Sequence, residues 1–133
     1  MYKGKKSRSV LLAAAGIVLA GTTAGVAYAV ADNVKAPYAQ AAATVQSNGH
    51  IKNAKGIESV NRLRAGEYCV TFSDKDLKVA NSIIQATPNS GNRILQVTWG
   101  DSQGCGSGQN VVKVNTTNYD GAKSDSWFTI SVH

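Results

Sequence analysis

The sequence predicts an all-β domain: a small antiparallel β-sandwich or barrel of about seven short strands, held by one disulfide and preceded by an N-terminal signal helix. Three observations carry this. Gly66-Glu67-Tyr68-Cys69-Val70-Thr71-Phe72 alternates, with Tyr68, Val70 and Phe72 on one face and Glu67, Cys69 and Thr71 on the other, the period-two mark of a strand buried on one side. Turn signals recur at short intervals, among them Asn48-Gly49, Gly56, Ala65-Gly66, Pro88-Asn89-Ser90-Gly91 and Asn118 to Gly121, with runs rich in Val, Ile, Thr and aromatics between them. Past residue 44 there is no amphipathic helix of useful length and no internal repeat.

The chain opens with Lys3, Lys5, Lys6 and Arg8 and no acid, followed by an uncharged run from Val10 to Ala31 that is Leu/Val/Ala/Ile-rich over its first half. A basic region before an apolar one is the plan of a secretory signal peptide. Small-x-small cleavage sites end at Ala29, Ala31 and Ala41, the last just after Pro37. The signal is placed at 1–31, with the Ala41 site extending it to 41–43. The alternative is an uncleaved anchor, which the length of the run permits and the weakly apolar Gly21-Thr22-Thr23-Ala24-Gly25 disfavours. There is no twin arginine, no lipid-accepting cysteine and no wall-anchoring motif. Secretion is the expected fate, and membrane contact is expected only if the signal stays on.

The formal charge of +6 shrinks once this segment is set aside. From Asp32 onward ten Lys/Arg face eight Asp/Glu, a balance of +2. A nucleic-acid surface needs basic residues clustered on one face. The loose group Lys52, Lys55, Arg62 and Arg64 reads instead as a solvated polar face, and no nucleic-acid partner is expected. Residues 32–43 are Ala-rich and read as signal remainder, linker or mobile tail, so the folded domain is placed at 44–133. A domain that small buries a modest fraction of its surface and gains from a staple. Its two cysteines, Cys69 and Cys105, are both in the exported part, where a disulfide is the default.

Strands are expected at about 44–46, 57–63, 67–72, 79–86, 93–99, 110–117 and 126–132. The second and third form a hairpin closed by Arg64-Ala65-Gly66. Ser73-Asp74-Lys75-Asp76 has the spacing of a helix cap and predicts one helical turn. Alternation places Leu95, Val97 and Trp99 inward, then Val112, Val114 and Thr116, then Phe128, Ile130 and Val132. Trp127, Thr129, Ser131 and His133 are left outside. One core is expected from Tyr68, Val70, Phe72, Val112, Val114, Phe128 and Ile130.

Taken as a set, Gly-x-Tyr-Cys-Val-x-Phe at 66–72, a second cysteine at 105 in a Gly-rich loop, Val-x-Val-x-Thr at 112–116, Gly121 and Asp125-x-x-Phe-x-x-x-Val at 125–132 resemble a group of small secreted proteins and trailing domains, mostly of actinobacteria, with no assigned activity. The resemblance covers nearly all of the chain after Ile57. It implies a compact secreted β domain, a Cys69–Cys105 bridge and no known catalytic residue. Related domains end longer extracellular fibre-like proteins, which gives a structural or fibre-end module as one alternative function.

Chemistry is thinly represented. Trp99-Gly100-Asp101-Ser102-Gln103-Gly104 is similar to serine-hydrolase motifs, and a small hydrolase built on Ser102 is a second alternative. One such motif closes on two glycines that shape an oxyanion hole, and Gln103 stands at the first of them. The chain's only histidines, His50 and His133, sit in a turn-rich start and at the terminus. A serine nucleophile needs a base in reach, so no enzyme activity is expected. Asp74-Lys75-Asp76 lacks the further oxygen ligands of a calcium loop, and Gly104 to Gly108 lacks the Lys-Ser/Thr of a phosphate loop. Neither metal nor cofactor is expected.

The better candidate is a surface. Trp127 is expected outward beside Thr129, with Tyr119 in a nearby turn, a patch suited to stacking on a sugar or filling a partner's pocket. The plainer role for Trp127 is to cover a sheet edge. The function expected is therefore that of a secreted, non-enzymatic extracellular β domain that binds at the cell surface, its partner a cell-wall glycan or another extracellular protein.

Overall fold

A computed structural model describes residues 32–133. The expected signal helix, with its Ala29 and Ala31 cleavage sites, lies outside the described residues. Among the described residues eight strands form two four-stranded antiparallel sheets around one core. The first sheet runs β2 (Ile51–Lys55), β1 (Ala41–Val45), β8 (Phe128–Val132), β5 (Ile84–Pro88). The second runs β3 (Ile57–Arg64), β4 (Glu67–Phe72), β7 (Val111–Thr117), β6 (Ile94–Thr98).

The core follows the alternation. Tyr68, Val70, Phe72, Val112, Val114, Phe128 and Ile130 are all buried in one cluster that draws on both sheets. The Tyr68 and Phe128 rings meet edge to face across it, centroids 5.1 Å apart at 60°, an arrangement worth about 0.5–1.5 kcal/mol beyond the area it buries. The β3–β4 hairpin turns where expected, and Thr116 is fully buried. Cys69 and Cys105 are bridged, with Cα atoms 5.5 Å apart. The bridge ties the outer face of β4 to the Gly100–Gly108 loop.

The structure departs from expectation at five places. The Ala-rich segment is no tail. Ala41, Ala42 and Ala43 are buried in β1, which is paired on both sides, to β2 and β8. Alanine has weak strand propensity, so sequence pattern does not reveal a strand made from it. Upstream, Asp32–Val34 lie along β2: the Asn33 and Val34 amides donate to the Ala54 carbonyl (2.7 and 3.1 Å), and the Ala54 amide donates to Asn33 Oδ1 at 2.8 Å. The Lys55 ammonium then holds the carbonyls of Ala36 and Ala39 at 2.9 and 2.6 Å. The folded unit therefore includes 32–43.

β2 is the second departure. It lies toward the rim of its sheet and buries only Ala54, so it carries no hydrophobic alternation. Third, the strand expected over 79–86 begins as a 3-10 turn at Val79–Asn81, and β5 starts at Ile84. The Ser82 hydroxyl donates to the Lys78 carbonyl at 2.9 Å, a local bond that competes with a strand ladder. Fourth, Ser73–Asp76 makes no helical turn; the Asp76 amide donates to Asp74 Oδ1 at 2.9 Å in an Asx turn. Fifth, Trp99 points outward and is 48% exposed. β6 ends at Thr98, and Gly100, at φ +110°, turns the chain away from the core. Leu95 and Val97 do pack partly on the core.

Candidate functional site

The outer face of the β2-β1-β8-β5 sheet is built by strand alternation. With Ala43 and Val45, Phe128, Ile130 and Val132 turned to the core, the intervening residues face out. Register lines them up in rows. Asn53, Thr44, Thr129 and Thr87 cross all four strands, and beside them Lys55, Ala42, Ser131 and Gln85 do the same. These rows floor an open groove of about 360 Å³ lined by Ala42, Thr44, Gln85, Thr87, Thr129 and Ser131, with Val34 at its side. Among the described residues no charged one lines it. Lys55 is directed away, onto the carbonyls of Ala36 and Ala39.

Of the residues the sequence singled out, Thr129 lies in this groove, and Trp127 stands two residues before it, at the entry to β8. Trp127 is half-buried, and the Lys52 ammonium sits 5.5 Å from its ring centroid. The indole thus serves partly as cover for β2, through a cation–π contact. Tyr119 is 70% exposed in the turn after β7, which closes by an Asn118 amide bond to the Ala122 carbonyl at 2.8 Å. No contact between Tyr119 and Trp127 or Thr129 is seen among the described residues.

Sequence reasoning missed the threonine row, because cross-strand register is not written in any one strand. It also passed over Ser131 and His133 as a pair: Ser131 Oγ lies 3.2 Å from His133 Nε2. Their i, i+2 spacing on one strand face was the available signal. Asp101–Gln103, which includes the Ser102 of the hydrolase alternative, forms a 3-10 turn. Among the described residues no cluster of three His, Cys, Asp or Glu side chains is placed to hold a metal ion.

The start of β8, and so the placement of Trp127 and Thr129, is fixed by Asp125. Its carboxylate accepts from Arg62 Nε and Nη2 (3.1 and 2.8 Å), from the Gly66 amide (2.8 Å) and from the Tyr68 hydroxyl (3.0 Å). The Tyr68 hydroxyl also lies 2.6 Å from the Ser47 carbonyl. A buried strand tyrosine needs a partner for its hydroxyl, which was the sequence signal for this cluster. Burial works against the charged carboxylate, but Arg62, the Gly66 amide and Tyr68 outweigh it and hold Asp125 below its ordinary pKa. Lys113 does the same for Glu67, by a hydrogen-bonded ion pair of 2.5 Å. Burial drives Tyr68 the other way, pushing it up to about 12.

These shifts set the pH range of the fold. The carboxylates are depressed on folding, so what they contribute is present above about pH 4 and is lost as pH falls through their folded values. Tyr68 is raised, so its contribution of about 2–3 kcal/mol is full below about pH 10 and is lost as pH rises toward 12. Thermal melts across pH should show a plateau between these limits and a fall on both sides. Tyr68→Phe should shrink the alkaline fall, and Asp125→Asn the acid one. An acid limb unchanged in Asp125→Asn would contradict the assignment.

No protein-family profile, no curated protein and no solved structure matches the chain.

Proposed function

We infer that this is an exported, non-catalytic binding domain that holds a neutral, hydroxyl-rich ligand, a cell-wall glycan strand, across the groove on the β2-β1-β8-β5 face. The observation that carries this is the lining itself: hydroxyls, one amide and apolar groups, with no charged side chain among the described residues. Hydroxyls and amides both donate and accept, which suits a polyol. A phosphate or nucleic-acid backbone calls for cations, which the described lining does not supply. The Cys69–Cys105 bridge is consistent with an oxidising compartment. The resemblance to small secreted actinobacterial domains supports both export and the lack of a catalytic role. Export further implies where the signal is removed. Cleavage after Ala41 would strip the strap that covers β2 and cut into β1, whereas cleavage after Ala29 or Ala31 leaves both whole.

One preparation tests both parts. The protein is expressed with its leader, recovered outside the cell and weighed by mass spectrometry; the expected N-terminus is Val30 or Asp32, an N-terminus at Ala42 would contradict the cleavage-site argument, and protein found only inside the cell would contradict export. The recovered protein is then passed over purified cell-wall polysaccharide and peptidoglycan. It should be retained, and Thr129→Glu, which puts a charge at the centre of the threonine row, should pass through with an unchanged melting temperature. Wild-type protein that is not retained overturns the glycan reading.

A further inference from the structure

Trp99 is a large aromatic that the core leaves 48% exposed. It is one of only two tryptophans, and it stands at the end of β6, in the sheet opposite the threonine groove. A depression of about 240 Å³ opens on it, walled by the Val79–Asn81 turn and by the loop that follows Gly100. Lys78, Asn81, Asp101 and Gln109 are among its lining residues, and the Gln109 side-chain amide also donates to the Lys75 carbonyl at 3.3 Å. A second depression of about 260 Å³, with Thr98 and Gln103, also includes the ring in its lining.

We propose that the Trp99 pocket is a carbohydrate subsite, separate from the threonine groove, in which one sugar ring stacks on the indole and its hydroxyls bond to Asn81, Asp101 and Gln109. A pyranose has an apolar C–H face and an edge of groups that each donate and accept. The pocket offers the matching halves: an exposed aromatic surface, and amide and carboxylate groups beside it. Lys78 and Asp101 cancel in charge, so the occupant need carry none. The volume is below the usual range for drug-sized ligands and suits a single ring.

The walls are also held in place before any ligand arrives. The Val79 amide donates to the Gln109 carbonyl at 2.9 Å, joining the two walls. The loop is pinned to β4 through Cys105, and Thr98 Oγ1 meets Gln103 Oε1 at 2.9 Å. A loop ordered in advance does not have to be ordered by the ligand, which is what lets a small site bind at all.

Two single-tryptophan variants separate this site from the groove. Trp127→Phe keeps only Trp99 as a fluorophore, and Trp99→Phe keeps only Trp127. Each is titrated with maltose, cellobiose and N,N′-diacetylchitobiose, with a proline-rich peptide as the competing ligand class. At least one saccharide should give a saturable change in the emission of Trp127→Phe, with half-saturation on the order of 1 mM, the range open to a ligand of one or two rings. Adding Asp101→Ala to that variant should raise the half-saturation point about tenfold without moving the melting temperature. Three results would overturn the proposal: no saturable change with any saccharide, a response to the peptide alone, or an unchanged half-saturation point with both Asp101→Ala and Asn81→Ala. A response confined to Trp99→Phe overturns it too while favouring the groove, so the two readings fail separately.

Discussion

Gly66→Ala should cost the domain about 3–5 kcal/mol and lower its melting temperature by about 15–30 °C. Gly66 sits at φ +70°, where a side chain is strained. A Cβ built there falls 2.3 Å from the Thr116 carbonyl oxygen and 2.9 Å from the Ser124 amide nitrogen. Both are backbone atoms, so no rotamer change relieves the clash. Gly66 also donates to Asp125 and accepts from the Thr116 amide at 2.8 Å, so moving it disturbs the approach to β8 and the β4–β7 pairing together. Against a total stability of about 5–10 kcal/mol for a domain of this size, the loss is close to global. Urea unfolding of the variant reads it directly; a midpoint within error of wild type would mean that the hairpin turn yields more easily than its contacts indicate.

Opening the Cys69–Cys105 bridge should have the next largest effect. The cysteines are 36 residues apart, and the entropy of closing such a loop in the unfolded chain amounts to about 4 kcal/mol. Cys69→Ser should cost at least as much as Cys105→Ser, because Cys69 is buried on β4 and its replacement brings a hydroxyl into that site, whereas Cys105 is half-exposed. Melting with and without reductant is the measurement, beside thiol titration of native protein, which should find none. A melting temperature indifferent to reductant would show the bridge to be structurally idle.

What was legible in the sequence was whatever period-two alternation could carry. β4, β7 and β8 each place large apolar residues at every second position, so Tyr68, Val112 and Phe128 could be assigned to one core. The bridge was legible because two cysteines leave one pairing. β1 was hidden, since alanine looks the same in a strand and in a spacer. β2 was hidden because its partner on the far side, Asp32–Val34, contributes hydrogen bonds and no hydrophobic pattern. Trp99 was misplaced because alternation continues on paper past the end of a strand, while in space Gly100 has already turned the chain. The candidate groove was half visible. Trp127 and Thr129 followed from β8 alone, but Thr44 and Thr87 join them only through register with neighbouring strands, and nothing in the sequence states that register.

The strap along β2 has a consequence for how this protein meets copies of itself. An unpaired sheet edge is a template on which another chain can grow, and fibres elongate by such addition. Here the outward amide and carbonyl of Ala54 are already engaged by Asn33, and the Gly56 amide by Asp32. At the opposite rim, β5 ends in Pro88, which has no amide hydrogen to offer. In the other sheet, β3 is interrupted by register shifts at both ends and carries Arg62 and Arg64. The β2, β5 and β3 rims are thus capped, closed by a proline, or bent and charged, which disfavours the addition of another strand along those three edges.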